Sequence, residues 1–354
     1  MALAALENVT DAIEATTDFL RPVDAGRWLR MAVVVFFVAG GGGLSLPFNA
    51  GTSVSGAGPP GGGQPGAGPG TGPVSNVDLP PLADVLVLVA VVVAALLTLG
   101  LVVWAVGSVM EFVFVEALRS ETVRVRRPFR QHLGAGLRLF GFRLGVSLLS
   151  LAVLGAVGAA VAFGIVGGSP LSWGAAQALA FVALFVPVLA VVVFGNGLVL
   201  GFTTVFVVPV MLVENRGVLS AWRRFWPTLR ANLTEYAVYA VLGFLLSIGV
   251  GLAIGTIVGI GAVVVLIPFA ILGGIVFVAA GGALTTPVLA VLGVLALLYL
   301  VVVLSLAALV AVPFQTFLRY YALLVLGDTN EDLDPIPEVR ARIRERGPTP
   351  PTAG

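Results

Sequence analysis

GVLSAWRRFWPTLRANLTEY, residues 217–236, sets Arg223, Arg224 and Arg230 among Trp222, Phe225, Trp226 and Tyr236. Long runs of valine, leucine, alanine and glycine flank it, at 175–213 and 236–281. A basic, aromatic segment between two apolar ones belongs to a chain that leaves a bilayer, lies along its surface and re-enters. In helical projection Leu219, Trp222, Trp226, Leu229 and Leu233 share one side, with Arg223 and Arg230 on the other. The segment therefore reads as an interfacial elbow helix, with its rings in the acyl boundary and its arginines at the headgroups.

Working outward, the composition agrees. The chain has 354 residues, 58% hydrophobic and only 10% charged; a soluble domain carries about 25% charged residues. Apolar runs near 29–47, 84–107, 144–166, 175–213, 237–260 and 288–312 are each long enough for a crossing, which takes about 20 residues. The expected fold is an all-α polytopic bundle of about six crossings with interfacial elbow helices. The 46 residues at 236–281 would hold two crossings. Two there would make seven, so one is preferred, with 262–281, around Ile267-Pro268-Phe269 and Gly273-Gly274, as a re-entrant or interfacial hairpin.

Charge decides orientation. Arginines gather at 21–30, 119–143, 216–230 and 340–346, while the connections at 47–82, 167–174 and 281–287 have none. By the positive-inside rule the arginine segments and both termini are cytoplasmic, in the plasma membrane. The organisation reads as an amphipathic N-terminal helix (1–28), a membrane domain (29–327) and a cytoplasmic tail (328–354). In the N-terminal helix Leu6, Val9, Ile13, Thr16 and Leu20 form the apolar stripe. The Gly/Pro-rich stretch 48–81 reads as a disordered extracytoplasmic loop. The interface residues are Arg27, Trp28, Arg126, Arg127, Trp222, Arg223, Arg224 and Trp226, with Arg319 anchoring the last crossing. Arg126-Arg127 and Arg223-Arg224 lie 97 positions apart, each pair opening an aromatic helical stretch, so the elbow repeats. In the first copy Phe129, Leu133, Leu137 and Phe140 are the apolar side; Ile336, Val339 and Ile343 beside the tail arginines make a weaker third.

The chemical inventory is thin. All 19 basic residues are arginine, cysteine is absent and His132 is the one histidine. No disulfide, thiolate site, lysine Schiff base or P-loop lysine is available. His132 has no partner at metal-ligand spacing and reads as facing the headgroups. No metal or cofactor site, catalytic set or nucleic-acid site is expected. Glu111 and Glu116 would sit just beyond the second crossing, paired with arginines, or serve as a proton or ion relay. Asn196, with Gln177, Thr203 and Thr204, is the other polar intramembrane group, either as interhelical hydrogen-bonding glue or as a solute site.

Two stretches carry a family likeness. FLRPVDAGRWLRMAVVVFFVAGGGG, residues 19–43, followed by the Gly/Pro loop, resembles the start of an uncharacterised family of haloarchaeal multi-pass membrane proteins. Glu214, Gly217, Val218, Ala221, Trp222, Phe225 and Trp226 are similar to the elbow of the membrane domain found beside some glycerophosphodiester phosphodiesterases. Neither likeness implies an activity here, since no phosphodiesterase domain is present. The expected role is a non-catalytic scaffold or envelope-associated binder of lipid or protein, a second copy of the chain included, with anionic headgroups as the lipid contact. The alternative is a transporter or lipid-handling permease built on the repeat and the re-entrant hairpin. A membrane enzyme would need Glu111, Glu116 and His132 in one cleft.

Overall fold

The computed structural model describes residues 4–22, 24–41, 82–167 and 170–346. The segment 48–81, expected as a disordered loop, lies outside the described residues. Among the described residues eleven α-helices follow one another: α1 (Ala4–Leu20), α2 (Ala25–Gly41), α3 (Leu82–Arg119), α4 (Arg126–Gln131), α5 (Leu133–Ala159), α6 (Ala175–Phe202), α7 (Val208–Glu214), α8 (Val218–Ala231), α9 (Leu233–Ala279), α10 (Thr286–Thr329) and α11 (Pro337–Arg346). Short π-helical segments extend α5 through Val166 and join α6 to α7 at Thr203–Val207. There is no strand among the described residues. Among the described residues five stretches, against the six expected, are long and apolar enough to cross a membrane, the α3, α5, α6–α7, α9 and α10 segments. Valine-rich segments stay helical here because a bilayer offers backbone N–H and C=O groups no other partner. The protein is an all-α membrane bundle, with α2 running beside α3 and α10 over its 17 residues.

The molecule divides along its length. At one end, the base, α1, α4, α8 and α11 gather round the ends of the long helices, and nearly all fully buried side chains lie there. From the base rise two antiparallel arms, α5–α6 and α9–α10, whose outward surfaces are leucine, valine and isoleucine. Small residues bring each arm's helices together. A Cβ on Gly158 would lie 3.2 Å from the Phe185 ring; Gly261 fits under Leu306 and Gly273 under Leu292. The α9–α10 arm turns at Gly281 and Gly282, with φ of 71° and 76°. Two successive left-handed residues cap α9, a conformation that favours glycine.

Several expectations change. The stretch 262–281 is not re-entrant: α9 runs unbroken for 47 residues, about 70 Å, through Pro268. Its distal part pairs with α10, where Tyr299 Oη donates to the Ala262 carbonyl at 3.3 Å and meets Phe269 edge-on. Proline removes one N–H, which a paired helix tolerates; a re-entrant loop would strand many more.

The first elbow is not a copy of the second. α4 has six residues against the fourteen of α8 and breaks at His132, beyond which the chain is already α5. The face α8 buries is Val218, Ala221, Phe225 and Thr228, against the protein; Leu219, Trp226 and Leu233 form an exposed stripe beside it. In α1 the buried face is rotated to Asn8, Ala12, Ala15 and Phe19, leaving Ile13 exposed. Alanines allow close approach to α10, Asn8 Nδ2 donates to Asp328 at 2.8 Å, and Phe19 packs edge-on to Tyr320. The tail helix α11 is no surface elbow either. Ile336, Val339 and Ile343 are buried in the base.

A buried charge layer and an arginine-lined recess

Where the arms leave the base, three charged side chains meet. Glu111 of α3 is bracketed by Arg143 of α5 and Arg319 of α10, all of them buried. Arg143 Nη2 approaches Glu111 Oε1 at 3.3 Å, and Arg319 Nη2 donates to Glu111 Oε2. Arg143 also donates to the Thr204 hydroxyl at 2.5 Å and to Ser108 Oγ at 3.3 Å. Arg319 Nη1 donates to the Thr204 backbone carbonyl at 2.7 Å, and its guanidinium lies 5.4 Å from the Phe114 ring centre.

Local sequence explains why that carbonyl is free. In a regular helix the Val208 N–H would serve it; in the π-turn Val208 donates to Thr203 instead. The donor one residue further on is Pro209, which has no N–H. The π-turn and the proline together aim one backbone acceptor at Arg319. Thr203, on the same turn, accepts from Trp222 Nε1 at 3.0 Å, which ties α8 to the layer.

One glutamate between two arginines leaves a single net positive charge. Breaking a buried pair by removing one partner costs about 3–5 kcal/mol. From this layer to their distal ends the long helices rise about 35–50 Å at roughly 1.5 Å per residue. A bilayer is about 40–45 Å thick with its headgroups. The layer thus lies about one bilayer thickness from the distal ends of the long helices.

Below the layer a set of basic side chains is spent internally. Arg342 forks onto Glu121 at 2.8 and 2.9 Å. Arg344 reaches Asp328 at 2.7 Å and Asn8 at 3.2 Å, and Arg340 reaches Asp328 at 3.1 Å and Asp334 at 2.8 Å. Burial pushes the Asp334 carboxyl up from its ordinary value, against the pull of the Ile336 N–H and Arg340. Arg224 bonds Glu214 at 3.1 Å.

The α3–α4–α5 corner contrasts with that set. Arg119, Arg124, Arg126, Arg127, Arg130 and Arg138 are exposed, and none of their guanidinium groups pairs with another described residue. Arg126, Arg127, Arg130 and Gln131 line an open recess of about 470 Å³.

The residues singled out from sequence scatter. Arg126 and Arg127 share the recess; Arg223 is exposed, and Trp226 lies half-exposed under the Arg230 guanidinium at 4.9 Å. Arg27 is half-buried over the Phe19 ring at 4.4 Å, and Trp28 packs against the core of the base. Arg319 is no surface anchor, and neither Tyr320 nor Tyr321 is exposed. Gln177 caps α6 at the far end, accepting from the Gly174 N–H at 3.1 Å, so it takes no part with Asn196.

His132 stacks on Phe112 at 5.8 Å; burial lowers its pKa and the nearby Glu116 carboxylate opposes that. Glu111 is turned away into the bundle. Arg143 is the layer residue that sequence reasoning missed, whereas Thr203 and Thr204 were singled out with Asn196. Arg143 and Arg319 did carry a signal, each being a solitary charge at the edge of an apolar run.

No curated protein and no solved structure matches the chain. A family model matches residues 3–336, nearly its whole length. The charge layer, both arms and all of the base except α11 fall within that match, and the chain belongs to DUF7544, a family of unknown function.

Proposed function

We propose that the protein is a non-catalytic membrane scaffold whose arginine-rich base faces the cytoplasm and holds anionic lipid or a protein partner, a second copy included. The observation that carries this is that the polar groups of the buried layer are engaged mostly with one another, Arg143 Nε being left without a partner among the described residues. Glu111 is satisfied by two arginines, Thr203 by Trp222, and Thr204 by Arg143 and Arg319. Groups so engaged hold helices in one register rather than bind and release a solute. Arginine-rich segments at one end, opposite arginine-free connections, support a plasma-membrane protein with cytoplasmic termini. Arginine as the sole basic residue and the acid-rich ends support a haloarchaeal origin.

A transporter is the second reading, on one specific observation. Gly158 meets Phe185 across the α5–α6 arm. Ser147 and Asn196 each lie eleven residues, three helical turns, from that contact on its base side, which puts them opposite each other. Ser147 Oγ and Asn196 Oδ1 are buried without a hydrogen-bond partner among the described residues.

Because the chain has no cysteine, one spin-label pair reports each distance cleanly. Labels at Gly174→Cys and Ala280→Cys would span the tips of the two arms in reconstituted protein. A scaffold gives one distance distribution, unchanged by an ion gradient. Two populations that exchange when a gradient is imposed would replace the scaffold reading with the transporter.

A further inference from the structure

The α3–α4–α5 corner differs from every other basic region of the molecule. Six exposed arginines lie within residues 119–138. The two nearest acids are Glu116 and Glu121. Glu121 is held by Arg342, and Glu116 faces His132. The corner is thus left with uncompensated positive charge, and three of its arginines, with Gln131, line one open recess.

The height of the corner is set by the same helix. Arg138 is the last exposed charge on α5. Beyond it the helix shows Leu148, Leu149 and Leu151 to its surroundings, and beside it Leu137 is exposed. An arginine cluster directly below a leucine surface lies at headgroup depth, with its aliphatic stems against the acyl boundary.

We propose that this recess binds the phosphate-bearing headgroup of an anionic phospholipid, and that a headgroup with two phosphates is preferred over one with a single phosphate. Guanidinium groups fork onto phosphate oxygens, and three around one recess exceed what a single monoanion neutralises. The exposed leucines of α5 take the acyl chains. α8 offers no such site, because Arg224 is spent on Glu214 and Arg230 lies over Trp226. This rests on the reading that the base meets the bilayer interface.

The test uses full-length protein in nanodiscs of phosphatidylcholine doped with cardiolipin or phosphatidylglycerol, with retained lipid counted by native mass spectrometry. Wild type is expected to retain cardiolipin over phosphatidylglycerol. The triple variant Arg126→Gln, Arg127→Gln, Arg130→Gln is expected to weaken that retention on the order of a hundredfold, at roughly 1 kcal/mol per arginine near a membrane surface. A control triple, Arg21→Gln, Arg223→Gln, Arg230→Gln, removes the same charge elsewhere and should retain lipid as wild type does.

Equal losses in the two triples would overturn the site in favour of diffuse attraction. Displacement of the lipid by millimolar inorganic phosphate would overturn the lipid assignment in favour of a free phosphate site, and tighter capture of an acidic peptide would do so in favour of a protein partner. All these side chains are exposed, so melting temperatures should match. If neither lipid is retained while the arm-tip distances stay single, the recess proposal fails and the scaffold reading survives.

Discussion

The base and the arms are made of the same residues and held by different physics. In the base, Phe206, Phe225, Tyr236 and Tyr239 interlock, with ring centres about 5 Å apart, and the side chains around them are buried on all sides. In the arms, Leu149, Val191 and Val278 are 66%, 72% and 75% exposed. Water would not tolerate that surface; lipid does, because acyl chains are as apolar as leucine and gain nothing from its burial. Tight side-chain packing is therefore concentrated where the chain leaves the bilayer, and the arms depend on glycine contacts and backbone hydrogen bonds.

The contrast is most sharply broken at Glu111. Glu111→Ala leaves Arg143 and Arg319 buried and unpaired, with an expected loss of about 3–5 kcal/mol, read as a large fall in melting temperature in detergent. An unchanged melting temperature would mean the layer is wet and adds little to stability. Phe225→Ala in the base should cost about 3–5 kcal/mol, whereas Leu179→Ala on α6 should fall within about 0.5 kcal/mol. Similar losses at the two positions would erase the distinction between base and arms.

A gentler comparison uses glycines on one helix. A Cβ on Gly136 would lie 2.6 Å from the Val109 backbone, while at Gly155 it meets nothing within 4 Å. Gly136→Ala should destabilise by about 1–3 kcal/mol through overpacking of α3 on α5. Gly155→Ala should be neutral or slightly stabilising, as alanine is the better helix former. A neutral Gly136→Ala would show that α3 can shift.

The smallest effect is a pH dependence. His132 titrates below its ordinary value because burial against Phe112 disfavours its charged form. The folded state then binds fewer protons than the unfolded one. Stability is full above the unfolded value near 6.5 and declines as pH falls through the lowered one. His132→Phe should remove that acid-side decline while leaving the melting temperature at pH 8 nearly unchanged. A decline that persists in the variant would point to a carboxylate instead.

The sequence carried the architecture further than the site. Runs of apolar residues marked the membrane stretches, since only a helix satisfies its backbone in lipid. The sequence reading preferred one crossing at 237–260 followed by a hairpin, and α9 instead runs through the whole stretch as one helix. What misled was the interpretation of Pro268 and Gly273-Gly274 as a break. In isolation they weaken a helix, but α10 lies along α9 there, and Gly273 accommodates Leu292. Helical projection chose Leu219 and Trp226 as the lipid-facing stripe of α8 and missed the neighbouring stripe, Val218 and Phe225, that the helix buries against the protein. Two apolar stripes lie side by side on that helix, one for protein and one left exposed, and hydrophobicity alone does not rank them.

By itself, then, the sequence determined that this is a helical membrane protein with its arginines at one end. Those properties follow from composition along the chain and from the cost of moving charge and unpaired backbone into hydrocarbon. Only the tertiary structure decided which arginines are spent and which are free. Glu111 and Arg319 are 208 positions apart, and Arg342 and Glu121 are 221 apart. Pairing of that kind depends on which helix ends the base brings together, which local periodicity does not record. It left the cluster at 119–138 with its charge uncompensated, and buried Arg319, an arginine that reads in sequence as a surface anchor.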